Sequence, residues 1–581
     1  MTQDTIGSTA PYLIEKDIGI PVNDGILLRA NIYRPAQAGR FPAILAMGIY
    51  GKDVHFADAF APQWGVLQQR YPDLFRVGSS GEHARWEMAD PDRWVPDDYA
   101  LVNIDSRGSG KSPGFLDPFS PRETQDYYDV IEWTAQQPWC NGKVGLLGVS
   151  YLAIKQWQVA ALQPPHLAAM IPWEGASDLY RDWSRHGGIL SNSFIAGWWP
   201  RQVLSNQHGN GETHYRDRAT GESTTGAPLS PELLRGNRAE HPDDVRNHPF
   251  DDAWYQERTP DLQRIVTPFL SAANWGGPGV HLRGNIEAFT GAAATEKWLS
   301  VHVGTHYESF YLHDYVAMQK QFFGHYLKGE DNGWGRRSRV RLEIRSPDRI
   351  AIRYENEWPL TGTRWTKFYL DAAARTLGTS PPATAAISYD ALGEGVSFML
   401  PPLVAPLEIT GPVTLRLWMA SSTVDADVFA VLRAFAPDGE EVIFTGAHEP
   451  TPVARGWLRA SHRACDPLRS MPWRPFHAHM AAEQLSPGDI YPLDIEIWPT
   501  CLALPPGYCL ALTLQGRDFL VSGAGRIQHD DPDDRDPSIF GGRHTIHTGG
   551  GHASYLLLPV IPDGRSIEQG ENGHGGQQDR R

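Results

Sequence analysis

Acyl-transfer chemistry can start in the segment Gly148-Val149-Ser150-Tyr151-Leu152-Ala153. The apolar run Val144 to Leu147 precedes it and a helical pattern follows. Ser150 therefore falls on a sharp strand-to-helix turn flanked by small residues, the geometry of a nucleophile elbow. Gly-x-Ser by itself carries little weight, because Ser80, Ser112, Ser177, Ser223 and Ser380 also have a glycine two residues earlier. Only Ser150 has a strand before it and a helix after it; a helix-capping serine is the competing reading. The fifth position of the usual Gly-x-Ser-x-Gly pattern is Leu152, so the small residue needed for close packing is expected at Ala153.

A serine hydroxyl is a weak nucleophile at neutral pH and needs a base within hydrogen-bond reach. With 22 histidines in the chain, residue type alone decides nothing. In an α/β-hydrolase the base sits on the loop after the last strand of the hydrolase domain, in the order Ser, acid, His. His306 fits that place, directly after Trp298 to Val303; His302 falls inside the strand and His313 one segment late. The oxyanion of the tetrahedral intermediate needs two donors, and losing one typically costs ~10² to 10³ in rate. One is expected to be the Tyr151 backbone N–H. The other is expected from the loop Gly48-Ile49-Tyr50-Gly51-Lys52-Asp53, where Tyr50 offers its hydroxyl; a tyrosine simply packed in that loop is the alternative.

The elements that must hold these groups read as an α/β fold. Strands are expected at Leu27 to Tyr33, Pro42 to Met47, Ala100 to Ile104, Val144 to Leu147 and Leu167 to Pro172. Helices are expected at Glu123 to Gln137 and from Tyr151. A Trp-rich, polar stretch without β alternation follows, then strands at Val266 to Ala272 and Trp298 to Val303 and a helix over Tyr311 to Leu327. Short alternating strands separated by Pro, Gly and Asp turns occupy the rest, starting with Val340 to Arg345 and ending with Ser554 to Leu558. The resulting organisation is an α/β-hydrolase domain over 1–177 and 263–333, a helical cap insertion over 178–262, and a C-terminal β-sandwich jelly roll over 334–563. A polar, Gly-rich tail over 564–581 is expected to be disordered.

At 581 residues the chain is too long for one core. Its net charge of -16 repels phosphate backbones and anionic membrane surfaces, so neither nucleic acid nor a membrane is an expected partner. A small-molecule substrate is expected, and self-association into a homo-oligomer stays open. Cys140, Cys465, Cys501 and Cys509 show no CxxC spacing and read as buried thiols. No basic, apolar leader and no bilayer-length apolar run is seen, so a soluble, cytoplasmic protein is expected. The acidic run Asp530, Asp531, Asp533, Asp534 and Asp536 lacks calcium-loop spacing and reads as a solvated turn. His544, His547 and His552 lack partners at ligand spacing. No metal and no cofactor are expected.

The chain resembles the family of serine hydrolases that contains cocaine esterase, X-prolyl dipeptidyl peptidases, α-amino acid ester hydrolases and glutaryl acylases (CocE/NonD). The resemblance runs through Val22-Asn23-Asp24-Gly25, Tyr33-Arg34-Pro35, Asp105 to Ser112, Glu132-Trp133, Gln137 to Gly145, Gly148 to Tyr151 and Tyr555 to Val560. It implies Ser150 as nucleophile, His306 as base, Tyr50 as hydroxyl donor to the oxyanion, and a jelly roll as last domain. One departure stands out. Where the family carries an Asp after a Trp, this chain reads Ala273-Asn274-Trp275-Gly276-Gly277, without a carboxylate. An anion is still needed to orient the imidazole. The neighbouring strand ends in Pro172-Trp173-Glu174, so Glu174 is expected to substitute, with Asp178 and Asp182 as lesser candidates; a pairing of Glu174 with Arg181 or a substrate amine competes. Trp173 and Trp275 are expected to wall an acyl pocket, with core packing as the alternative. The function expected is cleavage of a small-acyl carboxylic ester through an acyl-enzyme, with amide or X-Pro peptide hydrolysis second. A catalytically silent binding protein is the reading from a different class.

Overall fold

A computed structural model describes residues 12–521 and 528–562; the tail expected over 564–581 lies outside the described residues. The chain divides into two compact units. Of the described residues, 12–298, 304–337 and 528–534 make the first, and 299–303, 338–521 and 535–562 the second.

The first unit is built on a sheet whose strands are β1 (Tyr12–Pro21), β2 (Leu27–Pro35), β3 (Phe41–Gly48), β4 (Ala100–Asp105), β5 (Cys140–Val149), β6 (Leu167–Trp173) and β7 (Phe269–Asn274). They lie in the spatial order β1-β2-β4-β3-β5-β6-β7. The first two pairings are antiparallel, and β4, β3, β5, β6 and β7 run parallel. Every residue of β3, β4 and β7 is buried, as expected for parallel strands covered on both faces. Helix α1 (Pro121–Ala135) starts where Ser120 caps the Glu123 N–H and Pro121 presets the first turn. Helix α2 (Tyr151–Ala160) leaves the end of β5. Between β6 and β7 the chain forms short helices, among them Asn192–Trp198, Pro231–Gly236 and His241–Asn247. The acidic run is not a solvated turn throughout: Asp534 pairs with Arg185 at 2.9 Å and Asp531 with Arg246 at 2.8 Å, and Asp530 accepts from Asn192 at 2.6 Å.

In the second unit, Val340–Arg345 keeps its expected limits but not its expected place. It runs parallel to Leu299–Val301 and antiparallel to Ile350–Glu355, outside the sheet of the jelly roll. Among the described residues that sheet has eleven strands. It closes on itself because Leu407–Ser421 bonds both Tyr491–Leu504 and Tyr555–Ile561. Its interior is aliphatic, drawn from alternate residues of these strands.

Candidate active site

Ser150 stands at the junction of β5 and α2 with φ 59° and ψ -116°, a conformation that only a tightly determined turn imposes on a residue with a side chain. The main chain supplies that determination. The Ser150 N–H donates to Trp173 O at 2.9 Å, and the Val149 N–H to Glu87 O at 3.2 Å. Leu152, the departure from the usual pattern, is accommodated by glycines: a Cβ on Gly48 would lie 2.4 Å from Leu152 Cδ2, and one on Gly148 2.5 Å from Leu152 Cβ. Close helix-to-strand packing falls at Ala153, whose Cβ would lie 2.6 Å from a Cβ on Gly175.

On one side of the hydroxyl lies Tyr50, buried, with its phenol close to Ser150. Its phenol oxygen accepts from Trp198 Nε1 at 3.1 Å. Burial, then the nearby Glu87 charge, hold the Tyr50 pKa well above its ordinary value, so the phenol keeps its proton. The Tyr50 loop is pinned by Asp105, which accepts from the Lys52 N–H at 2.6 Å, and by the buried pair of Lys52 Nζ with Asp53 at 2.6 Å. The Tyr151 N–H heads α2, where a helix has no acceptor of its own. The Tyr151 phenol bonds both carboxylate oxygens of Glu123 at 2.7 Å.

The imidazole side differs from expectation. The Ser150 hydroxyl lies 3.0 Å from Nε2 of His281, on the residue capping helix α3 (Leu282–Gly291). His306 lies behind, its ring parallel to that of His281 within 5° and 4.9 Å away between centroids. Its two nitrogens are taken by carboxylates, Nδ1 by Glu174 Oε2 at 2.8 Å and Nε2 by Glu87 Oε1 at 3.0 Å. The nitrogen expected to face the serine thus faces a glutamate instead. Glu174 also accepts from Asn274 Nδ2 at 3.2 Å, and Asn274 occupies the strand end that lacks the family's Asp. Glu87 and Glu174, like Ser150, have positive φ, 63° and 48°. Burial works against a charged His306 ring, yet the Glu174 charge and hydrogen bond, followed by Glu87, push its pKa up to about 10. Burial raises the Glu87 pKa as well.

The lesser acid candidates are engaged elsewhere. Asp178 pairs with Arg181, and Asp182 with Arg283, both at 2.9 Å. Arg181 is thereby taken by Asp178 and by Asp251. Trp173 is fully buried, edge-on to Phe310 and Tyr315, and Trp275 is buried too. His281 and Glu87 went unforeseen. The only trace of His281 is a histidine in the same loop as the missing Asp; Glu87 sits in a stretch without periodicity and leaves none.

Residues 24–308 match the X-Pro dipeptidyl-peptidase (S15 family) and residues 332–557 the X-Pro dipeptidyl-peptidase C-terminal non-catalytic domain. A CocE/NonD family hydrolase from Staphylococcus aureus superposes with a TM-score of 0.81 at 33% identity, over 95% of this chain and 94% of that one. The chain belongs to the CocE/NonD hydrolase family. Cocaine esterase of Rhodococcus sp. (strain MB1 Bresler) is 26% identical over 95% of this chain and 99% of its own length. An α-amino acid ester hydrolase shares the fold with a TM-score of 0.66 at 15% identity, over 97% of this chain and 98% of that one. This CocE/NonD member is a serine hydrolase with an α/β-hydrolase domain and a C-terminal β domain, and the binding-protein reading is set aside. Among the described residues no helix is long and apolar enough to cross a membrane.

Proposed function

We propose that the enzyme hydrolyses carboxylic esters of small acyl groups through an acyl-enzyme on Ser150, with His281 rather than His306 as the group that takes the serine proton. The observation carrying this reading is the 3.0 Å contact between Ser150 Oγ and His281 Nε2 at a strained strand-to-helix turn. As Oγ bonds to the acyl carbon, its proton passes to His281. The oxyanion is held by the Tyr50 hydroxyl and the Tyr151 N–H, and the alcohol leaves with the proton from His281. Water then attacks the acyl-enzyme through the same imidazole. His306 and Glu174 form the charged layer behind that ring and take no proton from substrate.

The name of the esterase relative supports an ester as substrate, and the name of the matched peptidase family supports X-Pro peptides as the second choice. Comparing kcat/KM on a short-acyl p-nitrophenyl ester and on an X-Pro anilide separates them; a preference for the anilide overturns the ester. Fluorophosphonate labelling separates the imidazoles. The reading expects Ser150→Ala and His281→Ala both to abolish fast labelling. Labelling of His281→Ala at the parent rate would return the base to His306. Trp173 and Trp275 stand in this reading as the rigid backing of the acyl side. A cytoplasmic location accompanies the proposal, supported by four cysteines that all remain free thiols. So does a small-molecule substrate in place of nucleic acid or membrane.

A further inference from the structure

Glu87 is a buried carboxylate for which neither the serine mechanism nor any motif accounts. It is 3% exposed, and among the described residues no Lys or Arg pairs with it. Burying such a charge is costly unless something compensates for it. Its backbone is strained at φ 63°, and it is held there by specific contacts. The Glu87 N–H donates to the Tyr311 hydroxyl at 2.8 Å, the Tyr311 hydroxyl donates to Arg85 O at 3.0 Å, and Glu87 O accepts from Val149, the residue before the nucleophile. A strained, buried acid with no Lys or Arg beside it, anchored next to Ser150, points to a local task.

Its one ionic contact names the task. A neutral imidazole donates from one nitrogen and accepts at the other. The His306 ring has a carboxylate oxygen at both, 2.8 Å and 3.0 Å away, and that arrangement is satisfied by a ring carrying both protons. Such a ring is a cation, and it lies parallel to His281 at 4.9 Å. For His281 to accept the serine proton, the layer behind it must not be positive. His306 with Glu174 alone sums to zero. Adding Glu87 brings the layer to one net negative charge, which a protonated His281 neutralises. Within this unit Tyr50 and Tyr311 also lie beside Glu87, and burial holds the pKa of each well above its ordinary value, so neither phenol carries charge.

We propose that Glu87 is a positioning residue that fixes His306 as a doubly protonated ring and, through it, gives the layer behind His281 the negative charge that the proton transfer requires. The inference rests on His281 being the base. The test takes the full chain with a p-nitrophenyl ester and records kcat and the acid limb of kcat/KM against pH. Glu87→Gln keeps the shape and removes the charge. The protonated His281 then loses attraction, so the acid limb moves to lower pH by about one unit and kcat falls about tenfold or more. Glu87→Asp restores the charge and should bring the limb back. An unmoved acid limb in Glu87→Gln, whether kcat holds or falls, overturns the proposal and leaves Glu87 a structural residue. Should the variant not fold, the parent decides: proton resonances from both ring nitrogens of His306 at pH 8, assigned by their loss in His306→Gln, support the proposal, and one resonance overturns it. Failure of the base assignment shows separately, as labelling of His281→Ala at the parent rate.

Discussion

The two sides of the Ser150 hydroxyl are held by different forces. On the elbow side, position comes from the main chain: a positive φ, backbone hydrogen bonds to Trp173 and from Val149 to Glu87, and glycines that admit Leu152. The groups there, Tyr50, Tyr151 and Trp198, are neutral donors packed ring against ring. On the imidazole side, four segments contribute one residue each, Glu87, Glu174, His281 and His306, and what joins them is charge. The first side is sensitive to shape and the second to the loss of a single charge at constant shape.

The largest effect tests whether the elbow is the seat of reaction at all. Ser150→Ala should lower kcat by ~10⁶, as removal of a nucleophile does elsewhere, while leaving the thermal unfolding midpoint near that of the parent. Retained esterase turnover would move the chemistry to another site. Next, the charged side should yield to an isosteric change. Glu174→Gln should lower kcat at least as much as Glu87→Gln, about tenfold or more, because the His306 cation loses its shorter contact and the layer behind His281 loses a negative charge. Asp178→Asn removes a charge whose partner is Arg181 and should leave kcat nearly intact. The opposite pattern in steady-state kinetics would reassign the acid. Tyr50→Phe removes a donor and no charge, so ~10² to 10³ in kcat is expected with an unmoved pH profile. A shifted profile would mean that the two sides are not separable in this way.

The same contrast governs what the sequence discloses. The elbow is a local arrangement of strand, turn and helix, and Ser150, Tyr151 and the Tyr50 loop are adjacent to readable elements. Glu174 and His306 are legible because each follows a strand whose neighbour is set by the parallel order. His281 and Glu87 follow no strand directly, and a loop places them, so periodicity could not find them among 22 histidines and 68 acidic residues. Helix α1 begins two residues before the expected Glu123 because Ser120 and Pro121 form a cap that apolar spacing does not register. In the β domain, alternation does not mark out Tyr491–Leu504, because Pro492 and Pro499 interrupt it, and the sheet tolerates them within a long strand. Alternation marks Val340–Arg345 as a strand but says nothing about which sheet the strand joins.

The smallest expected effect concerns stability rather than turnover. His306 titrates near 10 in the folded chain and near 6.5 when free, so the folded state binds the proton more tightly. A group with a raised folded pKa stabilises fully below its unfolded value, and that contribution is lost as pH rises through the folded one. The unfolding midpoint of the hydrolase unit should therefore fall steadily between about pH 6.5 and about pH 10. Glu87, raised by burial, acts in the same sense at lower pH. His306→Gln removes the titrating ring and should flatten the decline in that window. Tyr50→Phe should leave it unchanged, because the Tyr50 phenol stays protonated throughout. Calorimetric scans at several pH values check both variants, and a parent-like slope in His306→Gln would mean that the ring behind His281 is neutral and that the charge contrast between the two sides is lost.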